Sequence, residues 1–167
     1  MNRGRSGLLP AKDLADTSLP TGNRKGYAFI GNLPPNTHGV LDDAIVAMAH
    51  SVGDSIRSFW ASSLGETQGA CSGGDDTVTL KLKAAAAVKT VALSEDLSAG
   101  QKVAGYTLEV RTAAGGWKAV GTRETIGMQF LHEVGQTVDA VRVRCTKLAA
   151  AGARVTVNAL SLAPTEA

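Results

Sequence analysis

From Thr77 onward the chain carries no helical period; instead, short runs rich in β-branched residues recur at close intervals, divided by turn residues. The runs are Val78 to Leu82, Val88 to Leu93, Val103 to Val110, Trp117 to Val120, Ile126 to Leu131, Val138 to Val143 and Val155 to Leu162. Apolar and polar residues alternate within them, so each can bury one face and wet the other. Ser98-Ala99-Gly100, Ala114-Gly115-Gly116 and Gly135 supply the turns. The spacing predicts seven strands in two packed antiparallel sheets: a mainly β protein with an antiparallel β-sandwich.

Upstream the pattern differs. Residues 1–23 are rich in Gly, Pro, Ser, Arg and Lys with no period, and read as a flexible tail. Tyr27-Ala28-Phe29-Ile30 reads as a buried strand, and the two prolines and two glycines of residues 31–39 force a loop after it. Leu41, Ile45, Met48, Val52, Ile56 and Phe59 or Trp60 recur at steps of three or four, with Asp42 and Asp43 where the helix dipole favours negative charge. One N-terminal amphipathic helix is therefore expected over residues 41–60. Its apolar stripe must pack on a sheet, on another chain or on a second copy. Residues 61–76, rich in Gly, Ser and Asp, are expected to form a long loop. The chain so divides into a tail at 1–23, a strand, Pro-Pro loop and helix at 24–60, and the sandwich domain at 61–167.

Charge narrows the partners. Seventeen Lys and Arg against fifteen Asp and Glu leave a net charge of +2, too weak a field to draw nucleic acid. No apolar run is long enough for a membrane span and the N-terminus does not read as a signal peptide, so no membrane partner is expected and localisation stays open. Cys71 and Cys145, far apart in sequence, are expected to be free thiols.

Several stretches resemble one family in order and spacing. Val91 to Val103, reading VALSEDLSAGQKV, continues into Tyr106-Thr107-Leu108-Glu109-Val110; Gly116-Trp117-Lys118-Ala119-Val120, Thr125-Ile126-Gly127 and Val141-Arg142-Val143-Arg144 follow. Together they resemble the C-terminal domain of retaining α-L-fucosidases. Asn23-Arg24 and Asn32 to Gly39 resemble the last strand and loop of the catalytic barrel in those enzymes, which makes the helix at 41–60 the barrel's last. The resemblance implies a galactose-binding-like, discoidin-like jelly roll and a role in holding carbohydrate of the fucose or galactose type. Retaining glycosidases need two carboxylates about 5 Å apart on a barrel of roughly 250 residues, and the family's pair lies in sequence that precedes Asn23. The expectation is thus a non-catalytic, carbohydrate-binding-like accessory domain. The alternatives are a structural or protein-interaction module without sugar binding, and a fragment of a full-length α-L-fucosidase. Sugar-binding relatives carry a longer calcium loop where this chain offers only Asp75 and Asp76, so no cofactor is expected and those two aspartates are the sole calcium candidates.

The candidate ligand residues are Glu95, Asp96, Gln101, Arg123 and Trp117. Glu95 and Asp96 end a strand and enter the glycine-bearing loop that Gln101 closes, where a carboxylate can accept from sugar hydroxyls or instead from backbone N–H groups of its own loop. Arg123, beside Glu124 between two strands, offers a planar fork of donors suited to vicinal hydroxyls. Trp117 can stack on a sugar or pack on the sheet, and Trp60 can anchor the helix. Arg142 and Arg144 share one strand face and read as wet surface. His38, His50 and His132 lack partners at metal-ligand spacing, and no Gly-x-Ser-x-Gly elbow occurs.

Overall fold

A computed structural model of the protein describes residues 32–72, 76–112 and 115–164. The expected tail and the Tyr27–Ile30 strand lie outside the described residues. Within them one helix, α1 (Asp43–Ala61), precedes six strands: β1 (Ser63–Cys71), β2 (Thr77–Glu95), β3 (Val103–Arg111), β4 (Trp117–Arg123), β5 (Phe130–Leu148) and β6 (Ala153–Leu160). The protein is mainly β, as its alternation predicts.

The strands are six, not seven, for two reasons. Val78–Leu82 and Val88–Leu93 are the two ends of β2, and of the Ile126–Leu131 run only Phe130 and Leu131 are strand, continuous with Val138–Val143 in β5; both strands run for 19 residues. The expected 61–76 loop, in contrast, is mostly the strand β1, paired antiparallel with β6 from Ser63↔Leu160 to Cys71↔Ala153.

All six strands belong to one antiparallel sheet in the order β1-β6-β2-β5-β3-β4, rather than two separate sheets. The two long strands explain how one sheet makes a sandwich. The start of β2, residues 77–81, pairs with residues 140–144 of β5, which also pair with β3; the end of β2 pairs with the start of β5 and with β6. Between these stretches the register slips at Lys81/Ala86 and again at Val88/Thr90. Such irregularities bend and twist a strand, so β2 and β5 pass from one layer into the other. Layer one is the start of β2, the end of β5, β3 and β4; layer two is β1, β6, the end of β2 and the start of β5.

Inward residues of both layers form one core: Val78, Leu80, Val91, Leu93, Tyr106, Leu108, Val110, Val141, Val143, Val155 and Val157 are all buried in it. The layers approach closely where β1 crosses β2. A Cβ on Gly69 would lie 2.9 Å from a Val78 methyl, so only glycine fits there. One turn further along, Cys71 and Cys145 are joined by a disulfide, with Cα atoms 6.0 Å apart and no exposed surface on either residue. The expectation of two free thiols is corrected: residues 74 apart in sequence become neighbours because β1 lies across the end of β5.

Helix α1 packs outside layer two. Phe59 is fully buried against Ala92, Leu131 and Leu160, with Ile56, Trp60 and Leu162 around it. Removing a side chain of this size from water stabilises by about 1.5–3 kcal/mol, and it fixes the end of the helix on the sheet. Ser62 completes the junction: its hydroxyl donates to the Phe59 carbonyl at 2.6 Å, and its carbonyl accepts from the Ser161 N–H at 3.0 Å. The helix begins two residues later than expected because Asn36 organises the preceding turn. Its side-chain oxygen accepts from the His38 and Val40 N–H groups while its amide donates to Asp42 at 2.8 Å.

Candidate functional site

Two loops meet at one end of the sandwich, and a single residue joins them, one through its side chain and the other through its backbone N–H. Glu95, the last residue of β2, is buried. Its Oε1 accepts from the N–H groups of Lys102 at 2.6 Å and Val103 at 2.8 Å, closing the loop from Asp96 to Lys102. Its own N–H donates to the Gly127 carbonyl at 3.0 Å, which holds the loop between β4 and β5 against the first. Within the first loop the Asp96 carboxylate accepts from the Ser98 N–H at 3.0 Å, and that bond holds its pKa below the ordinary aspartate value. The turn closes from the Gly100 N–H to the Leu97 carbonyl, with Gly100 at φ +79°, a backbone shape that glycine adopts without strain.

Between the two loops lies a cleft of about 530 Å³, lined by Gln101, Thr122, Arg123, Glu124, Thr125, Ile126, Gly127 and Phe130. Arg123 is exposed, yet held: its guanidinium carbon sits 4.4 Å above the Phe130 ring. A cation over an aromatic face is attracted by the ring quadrupole. Among the described residues no carboxylate pairs with Arg123, so its donors stay available to a guest in the cleft. The platform continues inward. Phe130 packs 4.7 Å from the His132 ring, and His132 Nε2 is hydrogen-bonded to the Tyr106 hydroxyl at 2.8 Å in the buried interior. Burial pushes the Tyr106 phenol well above its ordinary pKa, so it remains neutral. Gly121 must lack a side chain here, since a Cβ would fall 2.8 Å from His132 Nδ1.

Chemically the cleft is mixed and hydroxyl-friendly. A guanidinium and the Gln101 amide donate, Glu124 accepts, Thr122 and Thr125 do both, and Phe130 offers an apolar edge. Of the sequence-predicted residues the fold brings Gln101 and Arg123 together in this cleft. Glu95 lies behind it, its Oε1 committed to backbone and its Oε2 buried with no partner. Asp96 is in the adjoining loop and outside the lining. Trp117 is at the opposite end of β4 from Arg123, about 20 Å away at the ordinary strand rise. Its ring is covered by the Arg142 guanidinium at 4.1 Å, with Arg111 at 5.6 Å. Arg142 in turn donates to Glu109 at 2.7 Å, and Arg111 makes a two-point contact with Asp139. Arg142 and Arg144 thus belong to an ion network on the outer face rather than to open surface, and only 25% of the Arg142 side chain is exposed. Asp75 lies outside the described residues, and Asp76 accepts from the Ser72 N–H at 3.0 Å.

Phe130 and the two threonines were not legible as site residues. Phe130 reads as one more apolar position in a strand run, and nothing local announces that Arg123 will lie on it.

The fold is an antiparallel β-sandwich with a helix against one outer face. In backbone it is similar to a protein described as an α-L-fucosidase from Bacteroides thetaiotaomicron, with a TM-score of 0.83 at 20% identity, covering 93% of this chain and 35% of that one. It is similar also to a described α-L-fucosidase from Bacteroides ovatus (TM-score 0.75, 24% identity, 90% and 26%). A third similar structure is a GH29 fucosidase from Ruminococcus gnavus solved with fucose (TM-score 0.78, 16% identity, 95% and 38%). At these identities the likeness establishes the fold, and the chain spans about a third of the length of those proteins. No family model and no curated protein matches the sequence.

Proposed function

We propose that this chain is a non-catalytic, carbohydrate-binding accessory domain of the kind attached to α-L-fucosidases, and that it holds a hydroxylated sugar in the cleft between the 96–102 and 124–129 loops. The observation that carries this reading is Arg123, laid on Phe130 without an ionic partner among the described residues and facing a cleft of about 530 Å³. Ligand sites of this kind are concave, fall within about 300–1,000 Å³ and present a few fixed polar groups on an apolar base. A preorganised guanidinium offers paired donors to vicinal hydroxyls at small entropic cost. The fold likeness to fucosidase structures supports fucose or galactose as the first sugars to try.

The test is titration of the isotopically labelled protein with L-fucose and D-galactose, followed by NMR. Localised shifts at Gln101, Arg123, Thr125 and Phe130 are expected. Arg123→Ala should weaken binding about tenfold or more, since a hydrogen bond from a charged group contributes roughly 1.5–3 kcal/mol. Silence at these residues with every neutral and acidic monosaccharide tried would end the reading.

A further inference from the structure

Away from that cleft, the outer face of layer two holds a second concavity of about 130 Å³, walled by Trp60, Glu66, Ser94, Gln129, Thr156 and Asn158. The ladder explains the convergence. Glu66 of β1 pairs with Asn158 of β6, Asn158 with Ala92 of β2, and Thr156 with Ser94. Alternate residues of these strands therefore line up outward, while Val155, Val157 and Leu93 between them point into the core. Small Ala92 leaves the floor low. Trp60, in the last turn of α1 and held by its edge contact with Phe59 at 5.0 Å, forms one wall.

Part of this polar face is satisfied internally. The Asn158 amide donates to Glu66 Oε2 at 3.0 Å, Ser63 donates to Asn158 at 2.8 Å, and Gln68 reaches Thr156. The remainder is not. Gln129 Nε2 is shielded from solvent with no hydrogen-bond partner, and neither the Ser94 hydroxyl nor the Trp60 indole N–H is bonded to another described residue. Buried donors without partners are uncommon in folded proteins and ask for an explanation. Three donors with spare capacity, the free Oε1 of Glu66 and an indole face surround a space with room for one small ring.

We propose that this concavity is a second binding site, for a single neutral, hydroxyl-bearing ring such as an uncharged monosaccharide. Hydroxyls both donate and accept, so one ring can answer Gln129, Ser94 and Glu66 together, while its apolar C–H face rests on Trp60. Glu66 is the sole charged group in the lining and disfavours uronic acids. The site is separate from the first cleft, although the segment 127–130 touches both: Gly127 and Phe130 line one, Gln129 the other.

The experiment follows the Trp60 indole N–H and the Gln129 side-chain amide by NMR during titration with D-galactose, L-fucose and D-glucuronate in turn. The expected result is a shift of both signals with a neutral sugar and a response at least about fivefold weaker with the uronate. Glu66→Gln and Ser94→Ala should each weaken the Trp60 response by about three- to tenfold, the worth of one hydrogen bond, and both sit on the surface of a formed sheet. Arg123→Ala should leave the Trp60 response unchanged. The proposal is overturned if Trp60 and Gln129 are silent with all three sugars, if the uronate is preferred, or if Arg123→Ala abolishes the Trp60 response.

Discussion

Breaking the Cys71–Cys145 link should be among the costliest chemical changes to this fold. The perturbation is reduction of the disulfide, or replacement of both residues by alanine. Residues 74 apart are tied, and closure of a loop that long removes about 4.4 kcal/mol of conformational freedom from the unfolded chain at 25 °C, in the chain-entropy treatment. For a chain of this size that corresponds to a midpoint lower by roughly 9–18 °C. Location sharpens the expectation. β1 is an edge strand paired to β6 alone, and the link fastens its end to β5 in the facing layer. Loss should therefore loosen β1 first, with amides of 63–71 exchanging faster than those of β3 and β5. The assay is thermal and urea unfolding of oxidised and reduced protein, read by tryptophan fluorescence. Reduced wild type keeps both sulfur atoms and so isolates the cross-link from packing. Equal midpoints for the two forms, or an intact mass showing two thiols after expression in an oxidising compartment, would refute the reasoning.

Three further outcomes are expected. Phe59→Ala removes the fully buried anchor of α1 and should cost about 3–5 kcal/mol, measured by urea unfolding; a loss under about 1 kcal/mol would mean that the helix is not docked through this residue. Tyr106 has a raised pKa, so the folded protein keeps its phenol proton at pH values where the unfolded chain gives it up. Stability from this group is complete below the ordinary tyrosine value of 10.0 and is lost as pH rises above it, and Tyr106→Phe should flatten that alkaline decline, seen in unfolding series across pH 9 to 12. Glu95→Ala strands the N–H groups of Lys102 and Val103, of which the latter is buried. The substitution should cost about 1–3 kcal/mol and weaken sugar binding in the first cleft by loosening the 96–102 wall, while the backbone bond from the residue 95 N–H to the Gly127 carbonyl is kept; unchanged exchange at the Val103 amide would contradict this.

Much of the architecture was already in the residue order. Alternation from Val78 to Leu162 specified a two-sided β protein, because burial on one face and hydration on the other leave a period of two wherever a strand is half-buried. The stripe from Ile45 to Phe59 specified the helix and the face it would bury. The strand β1 escaped because, past Leu64 at its start, its inward positions are Thr67, Gly69 and Cys71 rather than large hydrophobes. With Val78 pressed so close, glycine is what the site requires, and a glycine leaves no hydrophobic signal. The continuity of β2 escaped likewise, since Ala84 to Ala87 cross between layers and form no alternation of their own.

The sites divide in the same way. Arg123 and Gln101 stood out locally as polar groups beside turns. That they face each other, that Phe130 supports the guanidinium, and that Glu95 serves the backbone of both loops depend on positions up to about thirty residues apart meeting at one end of the sandwich. Arg142 claims the ring of Trp117 through neighbouring strands, and Cys71 reaches Cys145 across the two layers, for the same reason. A sequence determines which side of each strand is oily and where the chain turns, because those are properties of neighbouring residues. Which polar groups are left with spare bonds is decided only when strands are set side by side, because satisfaction of a hydrogen bond is a property of distance in space.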